Sequence, residues 1–208
     1  MNYQRFYDRV AWIYAKSAKL IPPWRKYVEA VLPYIETGER ILEIGPGPGL
    51  LLEKIARRCQ LACGLDLSWG MLRMAGQQLN RSGLTPLLVQ GDAVYLPFER
   101  GCFDAVALTF VLSAIPDAQG ALSEIYRVLR PGGRVLLVDA GMPSNGNHMG
   151  VLLARLWTLF GDSMRDEAAL MASTGFAVDE RREFGAFQGI RLVVAHRSAE
   201  RIWRVASS

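Results

Sequence analysis

Metal and disulfide chemistry have almost no material to work with in this sequence. Its 208 residues hold three cysteines and two histidines. Cys59, Cys63 and Cys102 show neither metal-ligand nor redox spacing, so buried thiols in a reducing compartment are expected and no metal site is. No window approaches the ~20 consecutive apolar residues that span a bilayer. The opening MNYQRFYDRVAW lacks the basic leader, unbroken apolar stretch and small-residue cleavage site of a secretory signal, which sets the expectation of a cytoplasmic protein. An excess of one charge is missing too: 24 basic residues are scattered among 20 acidic ones for a net charge of +4, which leaves no footprint for nucleic acid. Repeats, low-complexity tracts and long polar linkers are also absent. What remains is a half-hydrophobic chain of a length that suits one well-buried domain over residues 1–208.

From residue 40 onward, short apolar runs alternate with helical periodicity, the pattern of an α/β sheet. RILEIG (40–45) reads as a buried strand and LLLEKIARRC as the helix after it. QLACGLDLS is a second strand ending at Asp66, and Ser68 is placed to cap a helix that stops at Gly83. PLLVQGD and FDAVALTFV give a third and a fourth strand. ALSEIYRVLRPGG reads as a helix closed by a Pro-Gly-Gly turn, and RVLLVDA as a fifth strand. These strands lack strict alternation, as strands covered on both faces do. Residues 1–36 read as one or two helices broken at IPPW. After the irregular GMPSNGNHMG come the helices VLLARLWTLF and DEAALMASTG, then FAVDERREF and GIRLVVAHR as a closing hairpin that adds an antiparallel strand.

The stretch EIGPGPGLL carries the chemistry. A bare turn between first strand and first helix lets backbone N–H groups approach an anionic group of a ligand. Its spacing, with Gly45, Gly47 and Gly49 at every second position, departs from the G-x-G-x-x-G of dinucleotide folds, whose third glycine position is Leu50 here. A triphosphate loop's G-K-[ST] ending is missing as well. Asp66, about 20 residues on and at a strand end, is placed to accept from two ribose hydroxyls. Asp92, at the end of the third strand, is placed to accept from an adenine amino group. Together they outline an adenosine site.

The blocks LEIGPGPG, GLDLS, GDAVYLPF, FDAVALTFVLSAIPD and EIYRVLRPGGRVLLVD, in this order, resemble class I S-adenosylmethionine-dependent methyltransferases over about residues 38–140. FYDRVAWIYA, the L-P-F after Asp92 and VLRPGG resemble the ubiquinone/menaquinone C-methyltransferase group, whose relatives include soluble bacterial phosphatidylethanolamine N-methyltransferases. The resemblance implies a Rossmann-like sheet of seven mostly parallel strands, helices on both faces, an antiparallel C-terminal strand, and S-adenosylmethionine as cofactor. By position it implies that Gly45, Gly47 and Gly49 approach the methionine part, with Glu43 at the mouth of the loop. Asp66 would hold the ribose, Leu67 and Met71 flank the adenine, Asp92 and Ala93 read its edge, and Thr109 and Phe110 pass beneath the sulfonium. Where many relatives carry histidines after F-V-L, this chain has Ser113 and Ala114.

Methyl transfer needs alignment and desolvation rather than a catalytic triad, and a base only if the acceptor must lose a proton. Tyr7, on an N-terminal helical lid (1–36), and His148, in the loop after the fifth strand, are the candidate catalytic residues. Tyr14, Asp139 and Ser113 have structural readings beside functional ones. Residues 141–208 would form the acceptor side, for a small hydrophobic or amphipathic acceptor such as a quinol precursor or a lipid headgroup. Arg5, Arg9, Lys16, Lys19, Arg25 and Lys26, among Phe6, Trp12, Ile13 and Trp24, are compatible with transient docking on an anionic membrane as well as with a solvated basic face. A nicotinamide oxidoreductase and a non-catalytic cofactor-binding protein are the readings from other classes.

Overall fold

The computed structural model describes residues 22–85, 87–158 and 163–198. Its strands are β1 (Arg40–Ile44), β2 (Leu61–Asp66), β3 (Leu87–Gln90), β4 (Phe103–Thr109), β5 (Leu129–Ala140), β6 (Phe176–Phe184) and β7 (Ile190–Arg197). They form one sheet in the order β3-β2-β1-β4-β5-β7-β6. The first five pair in parallel, and β7 runs antiparallel to both β5 and β6. The expected hairpin and its single reversed strand are therefore present.

Alternate residues of each strand serve the two faces. Leu42, Ile44, Leu108 and Leu137 pack on one with Leu122 and Ile125, which belong to helix α4 (Ala118–Val128). Ile41, Ala105 and Val138 pack on the other with Leu52 and Ile55. Those two lie on α2 (Leu50–Ala56), the second helix after α1 (Pro22–Val28). Burial on both sides is why ILEI, AVAL and VLLV are continuous apolar runs.

Helix ends follow local chemistry. Ser68 Oγ accepts from Met71 N at 3.2 Å to start α3 (Trp69–Arg81), and Asp117 accepts from Gly120 N at 2.8 Å to start α4. Asp166 accepts from Ala169 N at 3.2 Å ahead of the helix Glu167–Thr174, which the left-handed Gly175 ends.

Three expectations need correction. The helix before VLLVDA stops at Val128, and the Pro-Gly-Gly segment belongs to the strand, because Leu129 turns extended and pairs with Phe103. The register then resumes at Ala105 with Arg134, so residues between Leu129 and Arg134 bulge out of the ladder. His148 is not in a loop: Asn147 Oδ1 accepts from Gly150 N at 3.0 Å, and His148 begins α5 (His148–Thr158). Of the three thiols only Cys63 is buried, while Cys59 and Cys102 are partly exposed. The helix at Glu167–Thr174 is α6 below. No helix among the described residues is long and apolar enough to cross a membrane.

Candidate functional site

The sheet order places β1 and β4 side by side with their successors leaving in opposite directions, β2 on one flank and β5 on the other. A crevice at the carboxyl ends of such a strand pair is where α/β sheets bind ligands. Residues 45–49 form its floor. Gly45 N donates to Leu65 O at 2.8 Å and Gly49 N to Pro46 O at 2.9 Å, which folds the loop tightly between β1 and α2. Gly45, Gly47 and Gly49 have φ values of +66°, +52° and +81°. A Cβ on Gly45 would overlap the side chain of Val111, so the turn after β4 lies against this loop.

Gly49 has a second duty. A Cβ there would lie 2.9 Å from Leu79 Cδ1 and 3.0 Å from Ala75 Cα. Its bareness is needed for α2 to meet α3, apart from any ligand.

Glu43 stands at the mouth of the loop and is the unusual group of the site. It lies within β1 opposite Gly64 and Ala107 and is 1% exposed. Its Oε2 is buried without a hydrogen-bond partner. Burial, reinforced by the charge of Asp66, pushes the carboxyl up to about 8. An acid held this way is short of a cation or a donor. Its neighbours across the strands, Gly64 and Ala107, carry no polar side chain that could partner it.

The remaining expected residues fall on adjoining strand ends. Asp66 Oδ1 accepts from Ser68 N at 2.9 Å, which turns the chain into α3. Gly91 N donates to Asp66 O at 3.1 Å and ties the loop after β3 to the loop after β2. Asp92 is exposed and its Oδ1 accepts from Val94 N at 3.1 Å. Leu67 is half-buried between them, with Met71 and Ala93 buried beside it. Thr109 is buried at the end of β4. Phe110 follows it with φ +56°, its N donating to Val138 O at 2.8 Å. A left-handed phenylalanine is strained backbone, and nothing in the sequence signals it. The structure thus brings the loop, Asp66, Asp92 and Thr109 to one edge.

Of the two catalytic candidates, one falls among the described residues. His148 is exposed on the first turn of α5. Tyr7, Tyr14 and the basic residues up to Lys19 lie outside the described residues, as does any surface contact they were expected to make. Among the described residues no three metal-ligating side chains cluster. Within residues 141–208, a cleft of about 180 Å³ is lined by Met142, Met164, Arg165, Asp166, Arg181 and Arg191. Missed from sequence was the buried ion pair behind it, Arg191 Nη1 to Glu167 Oε2 at 2.7 Å. Of its members only the charged Arg191, inside an apolar strand run, gave a signal.

Comparison with known proteins fits this geometry. Residues 42–137 match the family model described as a methyltransferase domain. The chain is similar to the demethylmenaquinone methyltransferase of Thermobifida fusca, 38% identical over 120 residues that cover 56% of this chain and 49% of the relative. It is similar also to the demethylmenaquinone methyltransferase of Lactiplantibacillus plantarum, 32% identical over 152 residues, 68% of this chain and 64% of the relative. The chain therefore spans about half to two thirds of the length of these relatives. Among solved structures, a SAM-dependent methyltransferase from Thermotoga maritima superposes with a TM-score of 0.75 at 16% identity, over 94% of this chain and all (100%) of that one. At that identity the likeness speaks for the fold.

Proposed function

We propose, from the match of residues 42–137 to the methyltransferase domain family, that this protein transfers a methyl group from S-adenosylmethionine to a small hydrophobic acceptor of the quinol type. The observation that carries the reading is Glu43: a buried, partnerless carboxylate oxygen beside a bare left-handed loop suits a cofactor that carries a cationic amino group and needs close backbone approach. The site therefore fits the group. When bound, S-adenosylmethionine supplies an electrophilic methyl on a positively charged sulfur that leaves neutral, so its departure requires no acid.

The chain's own part is to bind, orient and exclude water. Glu43 would hold the amino group from inside β1, and the 45–49 backbone would take the methionine part. Asp66 would accept from the ribose hydroxyls, Leu67 and Met71 would flank the adenine, and Asp92 with Ala93 would meet its edge. Thr109 and Phe110 would lie on the side of the sulfur. A quinol-type acceptor is favoured because relatives matched over most of this core are named for menaquinone chemistry.

Asp66→Ala is expected to weaken S-adenosylhomocysteine binding by ~2 kcal/mol, through loss of charge-assisted hydrogen bonds, as read by titration calorimetry; unchanged affinity would remove Asp66 from the ribose role. The whole reading is tested with the full chain in two steps. Calorimetry should show S-adenosylhomocysteine bound and NAD not bound, and the reverse result would make the protein an oxidoreductase. Methyl incorporation should then be followed with a short-chain 1,4-naphthoquinol and with phosphatidylethanolamine vesicles. Transfer to the naphthoquinol supports the proposal, transfer to the lipid alone moves the acceptor class, and binding without transfer to either would point to a non-catalytic protein.

A further inference from the structure

One buried acid at the same sheet edge is left unused by the cofactor reading. Asp139 lies near the end of β5, 1% exposed. Ser113 Oγ and Ala140 N both donate to its Oδ1 at 2.8 Å, and Ser113 N donates to its Oδ2 at 2.9 Å. Ser113 belongs to the turn after β4, the same turn in which Phe110 takes its left-handed φ and Val111 lies against Gly45. A strained residue persists only where its surroundings fix it. Here the fixing groups are on the page: Phe110 N is held by Val138 O, and three residues later both donors of Ser113 are held by Asp139. The chain that returns after α5 is pinned to this turn as well, with Ser163 N donating to Ser113 O at 2.9 Å and Arg165 Nη1 to Ile115 O at 2.8 Å.

We propose that Asp139 is a positioning residue which, acting through Ser113, holds the 110–113 turn against Gly45 and thereby sets the cofactor pocket. The inference rests on the cofactor reading above. The charged groups around Asp139 are Arg191, its register partner on β7, and Glu167 on α6, which that arginine binds. Glu183 on β6 lies 3.6 Å from Arg191 Nε, and Arg165 donates to the carbonyls of Ile115 and Pro116 just past the turn. Burial pushes Asp139 up to about 7, against the pull of its three donors and with the charge of Glu167. As pH falls below that value the carboxyl takes a proton, and the protonated oxygen no longer accepts fully, so the hold on Ser113 loosens.

The test is S-adenosylhomocysteine affinity of the full chain by calorimetry, from about pH 5.5 to about pH 9, for wild type, Asp139→Asn, Ser113→Ala and the double variant. Wild-type affinity should rise through about pH 7. Asp139→Asn, whose amide N–H₂ faces donors, should bind about tenfold more weakly at high pH and lose that rise. The limb near pH 8 that belongs to Glu43 should remain. Because the action runs through Ser113, the double variant should bind no more weakly than Asp139→Asn alone. A folded Asp139→Asn protein with wild-type affinity and an unchanged pH profile overturns the proposal, and so do additive losses in the double variant. Should Asp139→Asn fail to fold, Ser113→Ala decides, and wild-type affinity there overturns it. A wild-type chain that binds no S-adenosylhomocysteine would overturn the cofactor reading itself.

Discussion

Glu43→Gln is expected to bind S-adenosylhomocysteine ten- to about a hundredfold more weakly and yet to melt higher than the parent in alkaline buffer. Both effects follow from one group. The parent carboxyl is 1% exposed, with an oxygen that has no partner, and titrates at about 8 where its ordinary value is 4.5. A folded-state value raised in this way means that the folded chain holds its proton longer than the unfolded chain. Its contribution to stability is complete below about pH 4.5 and is lost as pH climbs through about 8. The amide has no such charge to bury, so the gap between variant and parent opens across that window, reaching a few kcal/mol at order of magnitude. Asp139 titrates alike in both proteins and cancels. Thermal melts of the ligand-free proteins at acid and alkaline pH, paired with calorimetry, check the two halves together. A variant that binds normally would remove Glu43 from the amino-group role, whereas a melting difference that stays flat with pH would mean that the buried acid is solvated by some other route.

Gly49→Val should cost about 3 kcal/mol or more, visible as a melting temperature lower by about 10 °C and as an earlier urea midpoint. The residue has φ +81°, where a β-branched side chain is an outlier. The first atom of that side chain would already stand 3.0 Å from the backbone of Ala75. A loss of this size without ligand shows that the third glycine of the loop is required for α2 to approach α3. Wild-type stability in the variant would show instead that α3 can retreat.

The parts of the molecule that could be read in advance are those fixed by neighbours in sequence. Gly45, Gly47, Asp66 and Asp92 mark strand ends by local chemistry, and the apolar runs between them set the parallel sheet. Residues whose role depends on distant chain could not be read so. Asp139 and Ser113 are 26 positions apart, and only the folded sheet shows that one holds the other. Phe110 carries no mark of its backbone conformation, and its bond to Val138 O forms only in the folded sheet. The segment after Val128 reads as helix because YRVLRP has helical neighbours, while its pairing with Phe103 draws Leu129 into the strand. At His148 a signal did exist: the preceding asparagine is a good cap, and it fixes where α5 starts.

The reversed strand β7 has a consequence for how the chain assembles. β6 and β7 are joined by five residues, with Phe184 pairing Ile190, so this hairpin closes a short loop quickly. Joining β7 to β5 brings together Ala140 and Ile190, far apart in the chain, a slower closure by loop entropy. Loop entropy therefore predicts that the edge of β5 away from β4, along Val135 to Val138, is covered only when the hairpin docks. Arg191, which ties Glu167 and the Met142 carbonyl together, is delivered only by that last docking event, so the cleft that it lines with Met164 and Arg165 is the part of the fold that matures late.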